Sequence, residues 1–295
     1  MRRALPSLLL LLVLASCRKT PVLPSGEVLH RAAVASQSLA SAAYTVDGTL
    51  SFKNEEQEGQ FHPILKGVLQ DGGKQTQLQL SLTGTLTEGT VTYAISGKSD
   101  IVVASEEDAY LRLASLVVTP PYPLLNPDAL ASFLGTWWKL PVHKSENNHV
   151  SLGPDPRLLR AQAKVLRVTS ERGIEKIHGT EAYHYGITLD REKLLAFLTE
   201  VANQKGEPPE HEQVRSQIEA YDVTGEVWID VATFFLHRIL WRITPRGAQD
   251  RSFTAAFTLD LTDHNAAPPV KPPTDARPFV PGAFLQPSFI PRTDG

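Results

Sequence analysis

Few residues of this chain are spaced for chemistry. Its nine histidines are scattered. His178 and His184 flank an expected turn, and His143 and His149 share an expected loop. None stands in a His-Glu-x-x-His or comparable ligand spacing, so neither a metal site nor a cofactor is expected. No Gly-x-Ser-x-Gly occurs, no serine sits at a sharp strand-to-helix elbow, and no glycine-rich phosphate loop is present. Without a nucleophile, base and oxyanion set, the chain reads as a non-enzyme. The acidic stretches at 54–58 and 106–108 read as solvated hairpin tips. What remains is Cys17, the single cysteine. Met1-Arg2-Arg3, a leucine-rich run over 8–14 and Ala15-Ser16 precede it. That is a charged segment, a short apolar segment and small residues before a cleavage point. The run is too short for a bilayer core, which takes about 20 apolar residues.

Leu14-Ala15-Ser16-Cys17 resembles a bacterial lipobox. The resemblance implies cleavage before Cys17 and acylation of its thiol, hence a palmitate-type anchor in the cell membrane or outer membrane, facing the extracytoplasmic space. No thiol would then remain for disulfides, a metal site or a nucleophile. The expected organisation is a signal peptide over 1–16, a lipidated tether over 17–24, one domain over 25–263 and a proline-rich tail over 264–295. Arg18 and Lys19, beside the anchor, keep the tether solvated or lean on anionic headgroups.

The domain has ordinary globular composition, 42% hydrophobic and 21% charged, so a sizeable core can form. A formal net charge of -3 gives no electrostatic case for nucleic acid. Ser25 is placed to cap a helix running to about Ala42. Period-two alternation then dominates: Tyr44, Val46, Leu50 and Phe52 against Thr45, Asp47, Thr49 and Ser51. Further strands follow over 61–69, 78–82, 91–95, 101–104 and 109–113, with connections too short for crossovers, so the order is an antiparallel meander. Pro63 suggests an edge or irregular position. Asn126-Pro127-Asp128 and Asp155-Pro156 mark helix starts. A second β unit begins near Val168. Asp190 caps the clearest amphipathic helix, Pro208-Pro209 open another, and strands over 223–231, 235–243 and 253–261 close the domain. From Ala266 the proline-rich tail reads as extended or disordered and solvated, with docking of Phe279, Phe284 and Phe289 on the body as the alternative. The class is α+β.

Tyr44-Thr45-Val46-Asp47-Gly48-Thr49-Leu50-Ser51-Phe52 resembles the first strand of the LolA/LolB-like family, and is closer still to the LppX/LprG-type lipid-carrier lipoproteins. Gly225-Glu226-Val227-Trp228-Ile229-Asp230 and the segment Gly179-Thr180-Glu181-Ala182-Tyr183-His184-Tyr185 are similar to later strands of that family. The similarity implies a strongly curved antiparallel sheet, an incomplete barrel, with helices across its open side. It implies a lipid or acyl-chain ligand in an apolar cavity. A chain of about 14 carbons would gain on the order of 10 kcal/mol from burial, at about 0.8 kcal/mol per CH2. The expected lining is Tyr44, Phe52, Leu80, Tyr93, Tyr185, Val227 and Ile239, with Trp137 and Trp138 at the mouth. Neighbouring strand residues face opposite ways, so one of the two tryptophans equally fills core while the other lies outside. Alternation sets burial and not emptiness. A dry sheet that binds an envelope protein, as a structural or interaction lipoprotein, is therefore the alternative.

Overall fold

In the computed structural model, residues 23–105, 107–122, 130–141, 165–204, 211–247 and 252–279 are described. Strands β1 (Ala42–Lys53), β2 (Gln57–Gln70), β3 (Gln75–Glu88), β4 (Val91–Val103) and β5 (Ala109–Thr119) are consecutive hairpins. The side chain of Asn54 closes the first turn by accepting from the N–H groups of Glu56 and Gln57. β6 (Trp137–Leu140) lies beside β5. A second meander runs through β7 (Leu166–Ile177), β8 (Thr180–Leu189), β9 (Tyr221–Asp230), β10 (Leu236–Pro245) and β11 (Ser252–Thr262). β11 pairs with β1 and joins the two halves. β12 (Arg277–Pro278) pairs parallel with β6. The order is β12-β6-β5-β4-β3-β2-β1-β11-β10-β9-β8-β7, a large curved sheet whose first and last strands do not meet. Among the described residues three helices accompany it: α1 (Ser25–Ala35), α2 (Arg191–Gln204) and α3 (His211–Glu219). Asp190 caps α2, its carboxylate accepting from the Lys193 N–H at 3.2 Å.

Register converts alternation into two faces. Tyr44 opposes Leu261, Leu261's strand neighbour Leu259 opposes Ile239, Ile239 opposes Val227, and Val227 opposes Tyr185. These residues are buried in one core together with Val28 of α1 and Leu39. The other face carries Thr45, Asp47, Thr49 and Ser51 of β1 and their polar partners. Four aromatic rings on the apolar face lie directly opposite glycines: Tyr44 and Gly67, Phe52 and Gly59, Phe61 and Gly84, Trp241 and Gly225. A Cβ at Gly67 would meet the Tyr44 ring at 2.8 Å, so the glycine is what lets the ring lie down on the neighbouring strand.

The structure corrects several sequence expectations. α1 stops at Ala35, and Ser36–Ser38 form a 3-10 turn. Leu39 is extended and buried, because its side chain is needed in the core. Of the two positions expected for Pro63, edge or irregular, the structure has the irregular one, inside the sheet. Pro63 pairs with Leu82 of β3, while the ladder to β1 lapses between Asp47–Ile64 and Leu50–Phe61. The missing N–H therefore faces β1, and an interior strand tolerates the loss of one bond there. Around Leu130 the described residues hold only a 3-10 turn, Ala131–Phe133, before β6. The start of the proline-rich tail is not free: Asn265 donates to the Ser41 carbonyl at 2.7 Å, and Gln70 donates to the carbonyls of Ala267 and Pro268. Phe279 donates its N–H to Lys139 and sets its ring 6.4 Å from Trp138. The helix starts read at Asn126, Asp155 and Pro208 lie outside the described residues, as does Cys17 with its leader.

Candidate functional site

The apolar face is filled at one end and less so elsewhere. Beneath α1, Leu29 and Ala32 pack toward Val227, Ile229, Ile239 and Leu261, leaving a cavity of about 60 Å³. A second space of about 280 Å³ lies between α2 and α3 and the same face. Leu194 and Ile218 of the helices face Leu189, Val223, Ile243 and Phe253 of the strands across it. Arg191 stands at its rim, 3.3 Å from Asp222. Its volume is just below the roughly 300–1,000 Å³ usual for small-molecule sites. Along β1–β5 the apolar face continues past the packed core. Phe61, Leu65, Leu82, Leu86, Tyr93 and Leu116 are each only half-buried. Phe52 and Phe61 stack there at 6.2 Å.

The residues named from sequence divide among these regions. Tyr44, Tyr185, Val227 and Ile239 belong to the buried core, and Leu80 packs partly against it. Of these, Val227 and Ile239 line the small cavity. Phe52 and Tyr93 lie on the half-buried stretch, with Tyr93 edge-on to Tyr122 at 4.9 Å. Trp137 and Trp138 are separated by the pleat. Trp138 pairs with Leu111 and contacts Phe133 on the apolar face. Trp137 pairs with Arg112 and lies under its guanidinium at 4.9 Å on the polar face, away from the lining expected of it.

Two core tyrosines keep a polar atom in apolar surroundings. The hydroxyls of Tyr44 and Tyr185 are buried without a hydrogen-bond partner. Burial alone raises the Tyr44 phenol far above its ordinary value; burial, with the nearby Glu171 carboxylate and Tyr183 adding to it, pushes Tyr185 up to about 12.

Two polar groupings escaped the sequence reading. At the β9–β10 turn, Asp230 accepts from the N–H groups of Ala232 and Thr233 at 2.8 and 2.6 Å, and lies 3.0 Å from His237 Nε2. Burial works to raise the Asp230 carboxyl, but these donors outweigh it and hold the group below the usual carboxylate range. His237 meets His264 edge-on, and His264 donates to the Leu236 carbonyl at 2.8 Å and stacks on Phe235. Burial holds His264 below the ordinary histidine value. On the polar face, His184 stacks on Trp228 at 4.2 Å with its two ring nitrogens 3.3 Å from Glu175 and 3.0 Å from Glu226. The Trp228 indole donates to Glu175, and that bond is the main cause of a lowered Glu175 carboxyl. Arg238 reaches Asp260 at 2.7 Å. Alternation places His184, Glu226 and Trp228 outward, but their meeting depends on the β8–β9 register, which one sequence does not print. Among the described residues, no three His, Cys, Asp or Glu side chains converge as a metal site, and no helix is long and apolar enough to cross a membrane.

No protein-family profile matches the chain, and no curated protein does. Solved structures with a similar arrangement include the lipoprotein LppX of Mycobacterium tuberculosis, at 12% identity over 84% of this chain and 100% of that one, TM-score 0.35. LprF from Mycobacterium bovis is similar at 13% identity over 85% of this chain and 97% of that one, TM-score 0.34. A DUF1329 family protein from Desulfovibrio piger follows at 11% identity over 82% and 92%, TM-score 0.22. These neighbours include the LppX type that the strand pattern resembles. At such identities and TM-scores the likeness carries no conclusion about this chain.

Proposed function

We propose that this chain is a membrane-anchored lipoprotein of the bacterial cell envelope that binds or carries lipid or an acylated ligand on the apolar face of its sheet. The observation that carries the reading is the unevenly filled face. Side chains close it under α1, while the space beneath α2 and α3 and the half-buried row from Phe61 to Tyr93 leave hydrocarbon surface short of full burial. Such surface favours an acyl chain by roughly 25 cal/mol per Å² removed from water, with no polar catalyst needed. The ligand sits where Phe52, Leu80 and Tyr93 border the row and Leu194 and Ile218 roof the larger space. Tyr44, Tyr185, Val227 and Ile239 form the wall behind it. The lipobox-like Cys17 supplies the anchor.

Native mass spectrometry of the chain expressed without residues 1–17, free of detergent, tests the binding. Co-purified lipid, or saturable uptake of a fluorescent fatty acid that Ile218→Asp weakens, is the expected result. An empty protein that takes up no fatty acid overturns it. Labelled palmitate should enter the full-length chain in a bacterial host, and Cys17→Ala should abolish the label.

A further inference from the structure

A wider space lies on the other side of the sheet. A trough of about 570 Å³ crosses five strands, β3, β2, β1, β11 and β10. At about 4.8 Å per strand it is roughly 19 Å long. Register shows which face it occupies. Arg242 opposes Ala256, Ala256 opposes Thr49, and His62 opposes Thr83, which makes one wall. Thr244, Thr254, Ser51 and Gln60 make the other, with Thr254 opposite Ser51 and Ser51 opposite Gln60. Both walls are outward-facing rows of the polar face. The row between them contributes its backbone as floor, and Ala256 keeps the first wall low.

The chemistry of this trough is specific. Five hydroxyls, each able to donate and accept, line it together with one amide and one imidazole, over a floor that includes Leu50, Phe61 and Ile243. No carboxylate lines it. Asp47 stands at the rim, 3.6 Å from His62. Arg242 is exposed, and among the described residues no carboxylate lies within ion-pairing distance of it. Its neighbours Arg238 and Arg246 are both spent, on Asp260 and Asp222. An elongated site of hydroxyls ending in one unpaired guanidinium matches an elongated, hydroxyl-rich ligand with a singly charged acid group.

We infer that this polar trough is a binding site for a sugar or polyol chain bearing a carboxylate or a phosphodiester, with Arg242 holding the acid group and the Thr/Ser/Gln walls the hydroxyls. The site lies on the opposite face from the proposed lipid surface and stands independently of it. A ligand there would tie the domain to an envelope polymer while the apolar face stays free.

Calorimetric titration of the chain without residues 1–17 tests it with three probes: an oligogalacturonate, a glycerol-phosphate oligomer and a neutral malto-oligosaccharide of similar length. Saturable, salt-sensitive binding of either acidic oligomer is expected, about tenfold weaker in Arg242→Ala and weakened also in Thr244→Val, with the neutral chain weaker than both acids. Which acidic oligomer binds tells carboxylate from phosphodiester. Both substituted residues are exposed, and unchanged thermal melts show that the fold is intact. No saturation by either acidic oligomer, equal binding by Arg242→Ala, or equal displacement by inorganic phosphate at matched charge overturns the assignment.

Discussion

Adding one methyl group at two glycines of the same sheet face should shift stability in opposite directions. At Gly67 a Cβ would lie 2.5 Å from the Gln77 carbonyl and 2.8 Å from the Tyr44 ring. The first contact is with backbone and cannot be relieved by a rotamer change. At Gly97 the nearest atoms are 3.4 Å and 3.6 Å away, ordinary contact distances. Alanine in place of glycine gains about 0.4–1 kcal/mol by restricting the unfolded chain, where the backbone allows it. Overpacking costs about 1–3 kcal/mol. Gly97→Ala should therefore stabilise by about 0.5 kcal/mol and Gly67→Ala destabilise by about 1–2 kcal/mol. Urea unfolding of both variants, with unchanged slopes, reads the difference. Gly59 refines the test, since a Cβ there would meet ring atoms of Phe52 and, at 2.9 Å, of Phe61. Phe52→Leu should recover most of the loss in Gly59→Ala. Tyr44→Leu should recover only part of the loss in Gly67→Ala, because the Gln77 carbonyl stays. Equal effects at Gly67 and Gly97 would refute the idea that the aromatic rings depend on close approach to bare backbone.

Three further outcomes follow from the buried polar groups. Tyr44→Phe removes an unpartnered buried hydroxyl and should leave stability unchanged or raise it by about 1 kcal/mol, whereas Tyr44→Ala should cost about 3–5 kcal/mol in chemical denaturation. Because the folded His264 has a lowered pKa, its contribution is whole above the unfolded value near 6.5 and fades as pH falls through the folded value. Melting temperature should drop on acidification below about pH 6.5, and His264→Gln should flatten that part of the profile. Asp230→Ala leaves two main-chain N–H groups and His237 without their acceptor. It should cost about 1–3 kcal/mol at pH 7, and less as pH falls through the depressed carboxyl value, since the native protein then loses the same interaction.

The strands were the legible part of this chain because a half-buried strand writes its environment every second residue. β1, β3 and β8 to β11 follow directly from that alternation. The errors sit where a neighbour decides. Pro63 reads as an edge or an irregular position, and the chain alone does not say which, because its missing donor matters on one side only and the strand flanking that side is not written in the sequence. Leu39 reads as helical by spacing, but burial beside Tyr44 turns it out of the helix. The proline-rich segment reads as solvated until Phe279 finds Trp138. Of the expected lining, Tyr44 and Tyr185 are wall and not surface, because alternation separates inside from outside without measuring how closely a helix settles on the inside. Arg242 and its row were invisible for the complementary reason: hydroxyls on an outward face carry no signal until register lines up five strands.

A closed barrel has a circumference set by strand number and shear, and can change it only by breaking bonds. Here β12 and β7 never meet. The sheet is a collar left unfastened, so its girth is not fixed by a closed ladder. If the apolar face takes the proposed ligand, a change of twist would fit guests of unequal bulk at a cost in side-chain packing instead of in main-chain hydrogen bonds.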